Sequence, residues 1–208
     1  MTNQEALKLI FECASAYEQN LADKNILFLF QDSPQQIHAL ETTFSRSNFL
    51  HLTGVKSPNG GKLNANEFYS ACIGRRLKSS DFILAPDGTT QLKLMVLPYL
   101  VKANLSANMI SVFNQRTISL FTDKVVGSQS KGCMGFIAAE TAPYYIPNTV
   151  LKEDIRNITE HPQRRILATL SKRINEEKYS VVAYKAKGIG ELISKLPAHI
   201  KDKISCEI

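Results

Sequence analysis

Residues 121–156 run from Phe121-Thr-Asp-Lys-Val-Val-Gly127 through Cys133-Met-Gly-Phe-Ile137 to Tyr144-Tyr-Ile-Pro-Asn-Thr-Val-Leu-Lys-Glu-Asp-Ile-Arg156. Short apolar runs alternate there with ionisable side chains, the pattern of a sheet with one face in a core and the other free as a working surface. Thr122, Asp123, Lys124, Asn148, Thr149, Lys152, Glu153, Asp154 and Arg156 all fall within it. Such a density reads either as a solvated face or as a site that handles anions.

Around this stretch, residues 109–114, 117–126, 133–139 and 144–146 are strand candidates joined by short polar links, which implies antiparallel neighbours. Residues 164–172 and 179–185 resemble a further hairpin, and 189–196 a short closing helix before Pro197. Towards the N-terminus, residues 3–22 have apolar residues at helical spacing, with Thr2 or Asn3 as cap. Residues 26–30 and 36–44 read as two strands about a turn. Asn64 or Asn66 caps a helix running to about Leu77, and residues 89–104 form an apolar helix that Pro98 kinks or splits. The expected architecture is α+β, a single domain over 1–208, with N-terminal helices packed on a mostly antiparallel β-sheet. Residues 1–106 are expected to be helix-rich and 107–208 sheet-rich.

Composition narrows the function classes. The chain has 208 residues, of which 44% are hydrophobic, enough for an ordinary core. No run approaches the roughly eighteen apolar residues that span a bilayer. The first residues lack the cationic and then apolar regions of an export signal, so a cytoplasmic protein with no membrane partner is expected. Cys13, Cys72, Cys133 and Cys206 form no Cys-x-x-Cys pair, and read as reduced, mostly buried thiols. A formal charge of +6 favours a polyanionic partner. Clusters recur at Arg75-Arg76-Leu-Lys78, Arg164-Arg165, Lys172-Arg173 and Lys185-Ala-Lys187, although each alone reads as mixed solvated surface.

Several chemistries find no support. His38, His51, His161 and His199 stand singly rather than at metal-binding spacing. No Gly-x-Ser-x-Gly occurs; Gly60-Gly61-Lys62 is too short for a nucleotide-hydrolase phosphate loop, and Gly188-Ile-Gly190 lacks a third glycine. What remains is metal-independent handling of phosphate. Cleaving RNA without metal uses the substrate's own 2′-hydroxyl, so the protein must supply a base, a proton donor and cations for the charged pentacoordinate state. Suitable residues gather at 51–56, 122–124 and 148–156. If residues 48–56 are extended, His51 and Thr53 point the same way. A lone histidine among apolar residues reads equally as structural or catalytic. Tyr144 and Tyr145 read as core aromatics or as base-stacking ones.

The segments Asn48-Phe-Leu-His-Leu-Thr-Gly-Val55, Phe68-Tyr-Ser-Ala-Cys72, Thr122-Asp-Lys-Val-Val-Gly127, Cys133-Met-Gly-Phe-Ile137, Tyr145 to Arg156 and Tyr184-Lys-Ala-Lys187 occur in that order. In them the chain resembles, over nearly its whole length, a phage-associated group of predicted nucleases of the barnase, EndoU, colicin and RelE-like superfamily. The resemblance implies N-terminal helices on an antiparallel sheet of four or more strands. It also implies a metal-independent endoribonuclease without cofactor, acting as a toxin or effector of a phage or mobile element. The residues carried over as catalytic are His51, as acid or base, Thr53, Lys124 and Thr149. Those expected to bind nucleic acid are Lys56, Lys152, Arg156, Lys185 and Lys187, and no metal ligand is expected. RNA is the expected partner, with a cognate inhibitor or host protein beside it. The alternative is a non-catalytic phage-encoded module that binds a host protein or nucleic acid through the basic face. A shared active site requires that His51, Lys124 and at least one of Thr149, Lys152 and Arg156 converge on one concave face.

Overall fold

The structure is a computed structural model that describes residues 1–33, 36–60, 63–190 and 194–208. The apolar run at residues 26–30 lies in β1 (Lys24–Ser33), and its unbroken hydrophobicity follows from where that strand sits. β1 pairs antiparallel with β2 (Gln36–Phe44) on one edge and with β7 (Arg164–Arg173) on the other. Both of its faces are covered: Ile26 and Phe28 join one buried cluster, Leu27 and Leu29 another. A strand covered on both faces has no reason to alternate.

The remaining strands are β3 (Met109–Val112), β4 (Lys124–Gly127), β5 (Cys133–Ala138), β6 (Tyr145–Leu151) and β8 (Val181–Lys185). Their order is β1-β2-β6-β5-β4-β3-β7, and the β1–β7 pairing closes the ring. The expected N-terminal helical layer on an open, mostly antiparallel sheet is therefore wrong. The chain forms a closed seven-stranded mixed β-barrel, with six helices among the described residues. The barrel is mixed because β2 meets β6 in parallel at Thr42 and Tyr145. β8 adds to β7 outside the ring, so the hairpin expected over 164–185 is present. Sequence showed the local pairings but not the closure, whose register sets Lys24 opposite Arg173. Residues 1–106 supply four helices and also two long strands of the ring, β1 and β2.

One buried cluster gathers residues from all seven barrel strands, among them Phe28, Phe44, Ile110, Val126, Phe136, Val150 and Ile166. Helices α1 (Asn3–Asn20), α2 (Asn48–Thr53), α3 (Ala65–Ile73) and α4 (Thr89–Leu100) pack on the same cluster. α1 starts at a capping box in which the Thr2 hydroxyl accepts from the Glu5 amide and the Glu5 carboxylate accepts from the Thr2 amide. α3 is capped by Asn64, whereas α4 continues through Pro98 as one element. α5 (Ile155–Ile158) and α6 (Ala198–Lys201) are short. The closing helix expected over 189–196 falls partly on residues outside the described ones. The strand expected over 117–126 shrinks to β4, and residues 113–123 become a loop. Cys13, Cys72 and Cys133 are buried free thiols pushed up to about 12 by burial.

Candidate active site

Residues 48–56 are not extended, for Asn48–Thr53 form the helix α2. Residues two apart on a helix lie about 200° apart, so His51 and Thr53 cannot face the same way. Phe49, Leu52 and Thr53 are buried, with the Phe49 ring packed against Tyr17 and Tyr69, while His51 stays accessible to solvent. The Thr53 hydroxyl is spent within the helix, donating to the Leu50 carbonyl at 2.7 Å. It holds the helix end rather than a substrate.

α2 ends in Gly54, at φ +71°. The last carbonyls of a helix lack partners of their own, and here α4 supplies them. The Lys93 ammonium donates to the His51 carbonyl at 3.1 Å, and the Thr90 hydroxyl donates to the Gly54 carbonyl at 2.6 Å. Thr90 in turn accepts from the Ala85 amide at 2.9 Å. Gly54 is required twice over: a side chain is strained at that φ, and a Cβ there would stand 2.7 Å from Lys93 Cδ. The absence of a Cβ lets the lysine stem pass the helix end.

Two cavities flank this junction. The first, about 580 Å³, is lined by His51, Lys56, Asp87, Thr89 and Lys93 among others. The second, about 540 Å³, is lined by the polar residues His51, Thr89, Lys93, Asn148, Thr149, Lys152 and Glu153 and by apolar ones that include Leu92, Ile118, Leu120 and Phe121. His51, Thr89 and Lys93 line both and form the divide between them.

Asp87 lines the first cavity, where hydrogen bonds from Thr89 lower its pKa and the charge of Lys56 helps, and Glu153 lines the second. Partial burial of the His51 ring is the largest cause holding its pKa below the ordinary 6.5, followed by the charges of Lys93 and Lys56; hydrogen bonds with Asn148 pull the other way. The imidazole is therefore neutral near pH 7. Burial, and then Lys56, bring Lys93 down from 10.5 to about 8. Asn148 is itself fixed by the loop before β4: its amide nitrogen donates to the Phe121 carbonyl and, at 3.4 Å, to the Thr122 hydroxyl. Among the described residues no carboxylate forms an ion pair with Lys56, Lys93 or Lys152. Nor do three His, Cys, Asp or Glu side chains come together as a metal site among them.

Of the residues singled out from sequence, the fold brings His51, Thr149 and Lys152 to the second cavity and His51 and Lys56 to the first. Thr149 is buried in β6, with its hydroxyl reaching only the Val150 carbonyl at 3.5 Å. Lys124 lies in β4 between β3 and β5 and lines neither cavity. Arg156 lies apart as well, paired to Asp154, whose carboxylate also caps α5 through the Arg156 amide at 2.9 Å. Lys185 and Lys187 belong to the end of β8 and the residues after it, outside the barrel. The convergence required of a shared site is therefore not met, because Lys124 is absent from both cavities; His51, Thr149 and Lys152 line the second together. Tyr145 packs against the main core. Lys93 was missed, and its signal was a single cation inside the otherwise apolar run Leu92-Lys-Leu-Met-Val-Leu97.

A family model described as phage-Barnase-EndoU-ColicinE5/D-RelE like nuclease4 matches residues 9–188. The chain belongs to this nuclease family. The matched span includes every residue on the divide between the cavities and Asn148 behind it. No curated protein and no solved structure matches the chain. As a member of this phage-type nuclease family it has a nuclease's substrate class, nucleic acid, and no helix among its described residues is long and apolar enough to cross a membrane.

Proposed function

We propose that the protein is a metal-independent endoribonuclease whose chemistry is run by His51 and Lys93. The supporting observation is that one neutral imidazole and one ammonium of lowered pKa share the divide between two cavities. A base and an acid whose pKa values bracket neutrality are what general acid–base catalysis needs. His51 takes the proton of the 2′-hydroxyl as that oxygen attacks phosphorus. The bond from phosphorus to the 5′-oxygen breaks, and the departing oxygen takes a proton from Lys93. The products are a 2′,3′-cyclic phosphate and a free 5′-hydroxyl, and solvent returns the two protons to their starting places. Lys56 and Lys152, on either side of the divide, offset charge on the pentacoordinate phosphorus and its neighbours.

The role of a toxin or effector of a phage or mobile element, acting on cytoplasmic RNA, rests on the family description and belongs to the same proposal. Incubating the protein with a defined RNA in excess chelator, and mapping the ends, tests the reaction. Cyclic phosphate and 5′-hydroxyl termini are expected, with cleavage blocked by a 2′-deoxy substitution at the cut. Intact RNA with and without added metal would leave a binding module.

A further inference from the structure

The lining of the second cavity mixes polar and apolar side chains, and only polar ones take part in the chemistry above. Phe121 in that lining is 77% exposed, well beyond the next large apolar side chain among the described residues, Val181 at 55%. Such exposure on a loose loop would mean little, but here the backbone is tied down. The Phe121 carbonyl accepts from Asn148, the Thr122 carbonyl accepts from Gln115 at 2.8 Å, and the Asp123 amide donates to the Phe136 carbonyl at 2.8 Å. The backbone that carries the ring is thereby held, and the ring lines the cavity with Leu92 and Ile118, themselves 50% and 39% exposed. Lys93, Lys152, Glu153 and His51 line the same cavity. A ligand that satisfies both the cations and the exposed ring carries an anion and a flat apolar face, which is the chemistry of a nucleotide.

We propose that Phe121 is a base-stacking subsite, holding the nucleobase next to the phosphodiester that lies at His51 and Lys93. This rests on the nuclease reading of the same cavity. Every base has a π-face, so the subsite gives affinity and placement with little sequence preference. Asn148 links Phe121 to His51, because its side chain donates to the Phe121 carbonyl and its groups raise the His51 pKa against the effect of burial. A base seated on Phe121 therefore presses on the loop that orients the histidine.

The probe is a fluorescein-labelled RNA tetranucleotide with 2′-O-methyl groups, which cannot be cut by 2′-attack, beside the same oligomer made abasic at one position. Wild type is expected to bind the complete oligomer about tenfold more tightly than the best-placed abasic one. Phe121→Ala should bind both with the abasic affinity, and Phe121→Trp should restore the difference. An unchanged ratio in Phe121→Ala overturns the subsite. So does a Phe121→Ala effect confined to self-association in sedimentation, which would make the ring a protein contact. Uncut natural RNA together with Phe121-dependent discrimination would overturn the endoribonuclease reading and uphold the subsite. Cleavage together with an unchanged ratio would do the reverse.

Discussion

Two regions of this molecule carry ionisable side chains at similar density, and they behave in opposite ways. Around β4, the loop before it and α5, charges are consumed by neighbours. Asp123 accepts from the Ala138 amide at 2.8 Å, Asp154 caps a helix, and Arg156 pairs with Asp154 at 2.6 Å. At the α2–α4 junction, Lys56 and Lys93 act on a histidine without an ion-pairing carboxylate among the described residues, and burial with these charges holds the pKa values of His51 and Lys93 below their ordinary ones. Density of charge marks a surface, whereas charge left unpaired and partly desolvated marks a place poised for an anion. The first region settles its own electrostatics; the second waits for a phosphate to do so.

Substitutions can break this contrast. The largest effect belongs to His51→Ala, expected to lower kcat/KM for RNA by about 10² to 10⁴ with Tm unchanged. Arg156→Ala removes a solvent-screened surface pair and should leave cleavage intact. Equal losses in the two variants would dissolve the contrast.

Lys93→Met sharpens it, because cleavage should fall about 10² to 10³ while stability holds or rises. A lysine whose pKa drops from 10.5 to about 8 on folding is protonated more readily in the unfolded chain. Its charge therefore works against the fold below about 8, and that penalty fades as pH climbs from about 8 to 10.5. The stability difference between wild type and the Met variant, from urea unfolding across that range, should narrow with rising pH.

Gly54→Ala comes next, forcing a side chain into a left-handed backbone and against Lys93. A loss of about 1 to 2 kcal/mol in urea unfolding is expected, with a smaller drop in cleavage than for Lys93→Met. Least affected is the double change Lys185→Ala and Lys187→Ala. It should reduce the dependence of RNA affinity on log salt by about one to two, with cleavage at saturating RNA unaltered.

Much of the fold's parts list was legible in the sequence, because amphipathic spacing and turn residues are local signals. β2 matches its expected bounds, and α1, α4 and the β7–β8 hairpin lie where expected. Closure was not legible, since the β1–β7 register joins strands nearly 150 positions apart and leaves no periodic trace. In the site, His51 was singled out on composition and resemblance, yet its direction was misread. The segment Asn-Phe-Leu-His-Leu-Thr is too short for period two and period 3.6 to be told apart, and packing of Phe49 on Tyr17 decides it. Lys93 went unseen because its run reads as buried apolar helix. The glycine that makes room for its stem lies 39 positions earlier, and the contact between the two is tertiary.

The account turns on the two ionisations at the divide, so the most direct test is the pH dependence of kcat/KM for RNA cleavage in chelator. The expected profile is a bell, with an acidic limb below the ordinary histidine value of 6.5 and an alkaline limb near 8. The alkaline limb should vanish in Lys93→Arg. An alkaline limb that survives this substitution, or an acidic limb above 6.5, would contradict the roles given to Lys93 and His51.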